Sequence, residues 1–273
     1  MSLIDRFRRG FARAKEIAAV ANVTKPSPVP VREVLSEKRG QTSDILPSGN
    51  RAALDELVAM TADEYSLPPV THPAFDRAAF FAVLRGTNLR HQKPSQVEGT
   101  EWLLEAMKGL RTSWVAYALA TTWHETAATM QPIKEHGGPK YFFRMYDKAG
   151  ARPHVARELG NTMPGDGALY AGRGYVQLTG RTNYDRAAKA TGYPLVGNPN
   201  LAMRPDIAAE ILRAGMVEGW FTGRGFARFL PNVIGTLEQF TQARRIINGT
   251  DRAAKIAAYA LDFQAALIAG GWK

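Results

Sequence analysis

The stretch Thr121 to Gly138, TTWHETAATMQPIKEHGG, holds two glutamates, Glu125 and Glu135, ten positions apart. Two carboxyl groups can hydrolyse a glycosidic bond if one gives a proton to the leaving oxygen while the other takes one from water. That division needs two different surroundings, since burial beside apolar groups raises a carboxyl pKa and solvation leaves it ionised. On a helix, Glu125 falls three residues after Thr122, on the face that carries Val115, Ala118 and Leu119, with Trp123 and His124 adjacent. It is expected to keep its proton near neutral pH. Glu135 follows Pro132 and precedes Gly137-Gly138, a segment no helix runs through, so it is expected to turn back across a cleft and stay wet and ionised. Spacing alone does not separate this pair from ordinary solvated charges, and Asp147, Glu158 and Asp166 are competing acids in loop-like sequence.

Other chemistries fit less well. HETAA has Ala128 where a zinc-protease helix needs its second histidine, and His72, His91, His136 and His154 show no ligand spacing, so no metal is expected. The chain has no cysteine, which excludes disulfides, thiolate nucleophiles and thiolate metal sites. No GxSxG elbow occurs, and GRGYVQLTG lacks the GK[ST] ending of a phosphate loop; no cofactor is called for.

The elements that must position the acids are nearly all helical. AFDRAAFFAVLRG reads as a helix ending at Gly86, and PSQVEGTEWLLEAMKGL as a second, with Ser95 and Glu98 at capping-box spacing and Val97, Leu104, Met107 and Leu110 facing inward. TSWVAYALATTWHETAATM is the third. Residues 136–172 read as loop, RTNYDRAAKATG resumes helix, and NPNLAMRPDIAAEILRAGMVEGWF follows. TLEQFTQARRIING stops at Gly249, and Thr250 or Asp251 can cap the last helix, RAAKIAAYALDFQAALIAG. Ahead of these, residues 1–22 set Ile4, Phe7, Phe11, Ala14 and Ile17 at helical spacing among basic residues, a helix suited to packing on a protein or lying on an anionic membrane. A stretch rich in Pro, Ser and charge runs from Thr24 to Asn50, a short helix is expected over 51–66, and the domain boundary falls between residues 72 and 73.

At 273 residues with 45% hydrophobic content the chain can bury a full core. Its apolar runs are too short for a membrane span, and the N-terminus lacks the continuous apolar region of a secretory signal. The net charge of +10 favours polyanions: nucleic acid, anionic lipid or an acidic cell-wall polymer. No helix-turn-helix pattern or basic–aromatic interleaving supports nucleic acid.

A second motif, YAGRGYVQLTGRTNY from Tyr170 to Tyr184, resembles the substrate-cleft segment of family 19 glycoside hydrolases. HET followed by MQPIKEHGG looks like the catalytic segment of that family's phage endolysin branch. RRIING (244–249), EGWFTGRGF (218–226) and SQVEGTEWLL are similar to further family segments, in the family's order over residues 73–273. The resemblance implies that Glu125 is the general acid and Glu135 the base, with Thr179 helping to hold the attacking water. It also implies that Gln177, Asn183, Tyr175 and Asn248 bind the sugar. The short gap between the glutamates leaves Asp147 as an alternative base.

The expectation is therefore a mainly α, lysozyme-like catalytic domain with a cleft over 73–273, preceded by an extended arm over 1–72. Its implied partner is bacterial peptidoglycan, whose N-acetylmuramic acid/N-acetylglucosamine backbone it would cleave. With no signal peptide expected, the enzyme would be made in the host cytoplasm and reach the wall after holin-type release. Otherwise it would travel in a virion, with residues 1–72 docking on tail proteins or anionic membrane. A chitinase, and a non-catalytic virion or wall-binding protein that keeps the fold, are the competing readings.

Overall fold

The computed structural model describes residues 75–91 and 93–273; the expected basic helix, arm, 51–66 helix and domain boundary lie outside the described residues. Helix α1 (Arg77–Arg85) is capped by Asp76, whose Oδ1 accepts from the Ala79 N–H at 3.0 Å, and it stops at Gly86 as its sequence predicts. Helix α2 (Pro94–Ala106) starts two residues earlier than the Ser95/Glu98 pattern suggests. Pro94 takes the first helical position, where a missing N–H is harmless, and Gln96 Oε1 accepts from the Lys93 N–H at 2.9 Å. Leu104 and Met107 face inward as expected, whereas Val97 is exposed.

Helix α3 (Thr112–Glu125) is the centre of the fold. Every residue from Thr112 to Trp123 except Trp114 is buried, so the expected inward stripe is only part of a helix enclosed on all sides. The chain then makes a tight turn. Thr126 Oγ1 donates to the Thr122 carbonyl at 2.7 Å and accepts from the Met130 N–H at 3.1 Å. A two-residue strand β1 (Ile133–Lys134) pairs antiparallel with β2 (Arg173–Gly174), Ile133 opposite Gly174 and Lys134 opposite Arg173.

Between these strands the sequence predicts loop, yet three short helices form: α4 (Pro139–Tyr146), α5 (Pro153–Glu158) and α6 (Asp166–Leu169). Proline opens α4 and α5 at the position it suits, after Gly138 and Arg152. YFFRMY then buries Phe142 and Tyr146 in a small second core with Val155 and Ala171. Glycine and polar content hid that periodicity.

Helices α7 (Arg181–Thr191), α8 (Pro205–Glu218), α9 (Leu237–Ala243) and α10 (Ala253–Ala269) complete the frame. α9 gives way to a 3-10 turn over Arg244–Ile246, short of the expected stop at Gly249. Neither Thr250 nor Asp251 caps α10 by its side chain; Arg252, at φ 57°, holds the cap position. α10 lies along α3 and also packs on α1 and α9, while α2 packs on α8. The mainly α character expected from the sequence is met. No helix among the described residues is long and apolar enough to cross a membrane.

Candidate active site

Glu135 follows β1 and is held by the strand's partner chain. Its N–H donates to the Gly172 carbonyl at 2.8 Å, and the Gly172 N–H donates back to Oε2 at 3.1 Å. The Tyr146 hydroxyl, at the end of α4, donates to Oε1 at 2.8 Å. Gln177 and Thr179 arrive on the segment after β2, where Gln177 takes φ 53° and its Nε2 donates to the Ile133 carbonyl at 2.9 Å. Thr179 Oγ1 donates to the Gln177 carbonyl at 2.8 Å.

These bonds converge on one point. A β-carbon on Gly172 would lie 2.9 Å from Gln177 Oε1, 3.1 Å from Glu135 Oε2 and 3.2 Å from Thr179 Oγ1. Because residue 172 is glycine, these three oxygens can close in beside its backbone. Because Gln177 has committed its amide nitrogen to Ile133, the group it offers here is an acceptor.

Glu135 is not the wet carboxylate expected. Burial pushes its pKa above the usual carboxylate range, opposed by the hydrogen bonds from Tyr146 and the Gly172 N–H. Burial, and next the neighbouring Glu135, push the Tyr146 phenol well upward, so it remains a proton donor.

Glu125 also differs from expectation, since its neighbourhood is not purely apolar. Arg244, itself 1% exposed, donates through Nη1 to Glu125 Oε1 at 2.7 Å and through Nε to the Asp251 carbonyl at 3.0 Å. Asn248 sits one helical turn past Arg244, its N–H bonded to the Arg244 carbonyl at 2.8 Å. Its Oδ1 accepts from the Gly249 N–H, whereas its buried Nδ2 has no partner among the described residues. A buried amide nitrogen left unpaired costs about 1–3 kcal/mol, so it calls for an explanation.

The groups of Glu135 and Glu125 are linked by the chain from Thr126 to Lys134. Tyr175, buried, donates from its hydroxyl to the Met130 carbonyl at 3.3 Å and so braces that link; it has no open face for a sugar. Asn183 is half-buried, and its Nδ2 donates to the Thr179 carbonyl at 2.6 Å, leaving Oδ1. Asp147 is committed elsewhere: it is buried, and its oxygens accept from the Ala149 and Gly165 N–H groups at 3.2 and 2.7 Å.

Backbone strain collects at the same places. The non-glycine residues with positive φ among the described residues are Ala127, Ala128, Met130, Gln177 and Arg252. The first three lie between the two glutamates, the fourth is at the three-oxygen point, and the last follows the carbonyl that Arg244 binds. Such conformations cost on the order of 1–3 kcal/mol each and cluster where function over-determines the backbone.

Sequence reasoning singled out neither Arg244, Tyr146 nor Gly172. Arg244 and Gly172 lie inside the quoted RRIING and YAGRGYVQLTG motifs, so a signal existed for both. Tyr146 gave none. No group of histidines and acids among the described residues is arranged to hold a metal.

Residues 107–222, fewer than half of the chain, match the Glyco_hydro_19 family model, described as Chitinase class I. Chitinase C from Streptomyces griseus HUT6037 is similar in structure at 21% identity and a TM-score of 0.47, over 72% of this chain and 95% of that one. A bacterial family 19 chitinase is similar in structure at 18% identity and a TM-score of 0.41, over 73% of this chain and 96% of that one. No curated protein sequence matches. The matched segment contains Glu125, Glu135, Gly172, Gln177 and Thr179, and the match supports a glycoside hydrolase.

Proposed function

We propose that the protein cleaves the N-acetylmuramic acid/N-acetylglucosamine backbone of bacterial peptidoglycan with inversion at the anomeric carbon. The observation that carries this reading is the convergence of Glu135 Oε2, Gln177 Oε1 and Thr179 Oγ1 beside Gly172. Thr179 has spent its proton on the Gln177 carbonyl, so all three oxygens accept. A water held in front of these oxygens, clear of the Gly172 backbone, would donate to two of them and keep a lone pair for the anomeric carbon. As its oxygen bonds to that carbon, Glu135 takes its proton, the glycosidic C–O bond breaks, and Glu125 protonates the departing oxygen. Room for that water between the carboxyls is what separates inversion from retention.

Arg244 bonds Glu125 Oε1 and leaves Oε2 for the leaving group. Asn183, half-buried, keeps Oδ1 for a hydroxyl or acetamido N–H of an N-acetyl sugar. The base role goes to Glu135 rather than Asp147, whose oxygens are occupied by backbone donors. The net charge of +10 favours an anionic wall over a neutral glycan. Residues 1–72, which begin with a basic stretch and continue into proline-rich sequence, would deliver the enzyme, either within a virion or after release from the host cytoplasm.

Chitin is the second substrate to test, because the matched family model is described as Chitinase class I. Mass spectrometry of digested peptidoglycan and of chitin oligomers, run side by side, identifies the bond cut. New reducing ends only from chitin would overturn the peptidoglycan reading. Removing residues 1–72 should leave cleavage of purified wall unchanged if the arm serves delivery.

A further inference from the structure

We propose that Tyr146 is a positioning residue for Glu135: its hydroxyl fixes Oε1 and so turns Oε2 toward the point beside Gly172. This rests on reading Glu135 as the base.

The tyrosine is placed by its own packing. It is fully buried, its ring stacks on Phe142 at a centroid distance of 6.3 Å, and the edge of Tyr141 meets it at the same distance. Its carbonyl accepts from Asn161 Nδ2 at 2.9 Å, and Asn161 Oδ1 accepts from the Arg181 N–H at 2.9 Å. A side chain with two rotatable bonds, locked in this way, delivers its hydroxyl to a fixed place. The carboxylate then has one donor on each oxygen, Tyr146 on Oε1 at 2.8 Å and the Gly172 N–H on Oε2 at 3.1 Å. Its plane is set, and Oε2 is the oxygen beside Gln177 and Thr179.

The other charged and titratable groups around Glu135 come from several elements. Tyr141 backs Tyr146 on α4, Tyr184 of α7 faces Glu135 with Arg173 of β2 against it, and Lys134 and His136 flank it in the chain. Of the side chains, Tyr146 is the one bonded to the carboxylate, and its hydrogen bond favours the ionised form. Being buried, Tyr146 has no surface to offer a sugar.

The test compares Tyr146→Phe and Glu135→Gln in the full chain on peptidoglycan and chitin oligomers. Glu135 is also titrated by carbon-13 NMR of labelled glutamate carboxyls, its signal identified by its loss in Glu135→Gln. Phenylalanine keeps the ring and its stack; thermal melting checks the fold. For Tyr146→Phe, kcat should fall about tenfold to hundredfold with KM within about twofold. The acid limb of the activity profile, and the NMR titration of Glu135, should both move to higher pH. An unmoved Glu135 titration overturns the proposal, whatever happens to activity. A fall in kcat with an unchanged pH profile also overturns it, as a purely structural effect. Full activity in Glu135→Gln instead overturns the reading of Glu135 as base, and the NMR titration still decides whether Tyr146 holds that carboxylate.

Discussion

Arg244 and Glu125 form a buried ion pair at the C-terminal end of α3, Nη1 to Oε1 at 2.7 Å, with 1% and 9% of their side chains exposed. The pair joins the end of α3 to the turn between α9 and α10, because the same guanidinium holds the Asp251 carbonyl. Breaking such a pair from one side leaves a buried charge without a partner. Arg244→Met is expected to destabilise the protein by about 3–5 kcal/mol, seen as a lower urea midpoint with an unchanged slope. Glu125→Gln keeps an acceptor for Arg244 but removes its countercharge, so it should abolish glycan cleavage and also lower stability.

Glu135 gives a prediction of opposite sign. Its pKa is raised in the folded protein, chiefly by burial, so ionising it costs more folded than unfolded. That penalty is absent below the ordinary carboxylate pKa and grows as pH rises through the folded value. Glu135→Gln should therefore be more stable than the parent at neutral pH and lose that advantage as the medium is acidified. Thermal melts across pH test this, and equal stability at pH 7 would contradict it.

Gly172 is the smallest change with the largest expected effect. Its φ is one any residue can adopt, so alanine strains no backbone there. The added methyl would sit 2.9–3.2 Å from the three converging oxygens and push those side chains apart. Gly172→Ala should lose about a hundredfold or more in kcat while folding normally, as read by steady-state kinetics and circular dichroism.

The strained turn after α3 can be relieved. Ala127, exposed at φ 50°, lies in a region that costs an L-residue about 1–2 kcal/mol and costs glycine little. After the extra chain entropy of glycine, Ala127→Gly should gain about 0.5–1 kcal/mol, or about 1–4 °C in Tm. A lower Tm would show that the turn is not strained.

The long, strongly apolar helices were legible from sequence, since α3 and α10 carry patterns that leave no other reading. Both glutamates, Gln177 and Thr179 were nameable because they lie in recognisable motifs. The surroundings of the two carboxyls were not. Arg244 is 119 residues from Glu125 in the chain, and Tyr146 reaches Glu135 only because α4 folds where glycines and polar residues suggested loop. Local periodicity reports which face of an element is buried; it does not report which distant side chain will arrive there.

Gly172 grips Glu135 through both its N–H and its carbonyl, so this carboxylate takes its position from a neighbouring backbone and not from a helix of its own. For anyone recombining this scaffold, that divides the molecule into exchangeable and fixed parts. The exposed turn residues of 148–165 can be traded while the carboxylate stays in place, provided Asn161 and the Gly165 contact to Asp147 are kept. A single insertion between Gly172 and Thr179 cannot, for it would shift the strand register and carry the three converging oxygens out of line together.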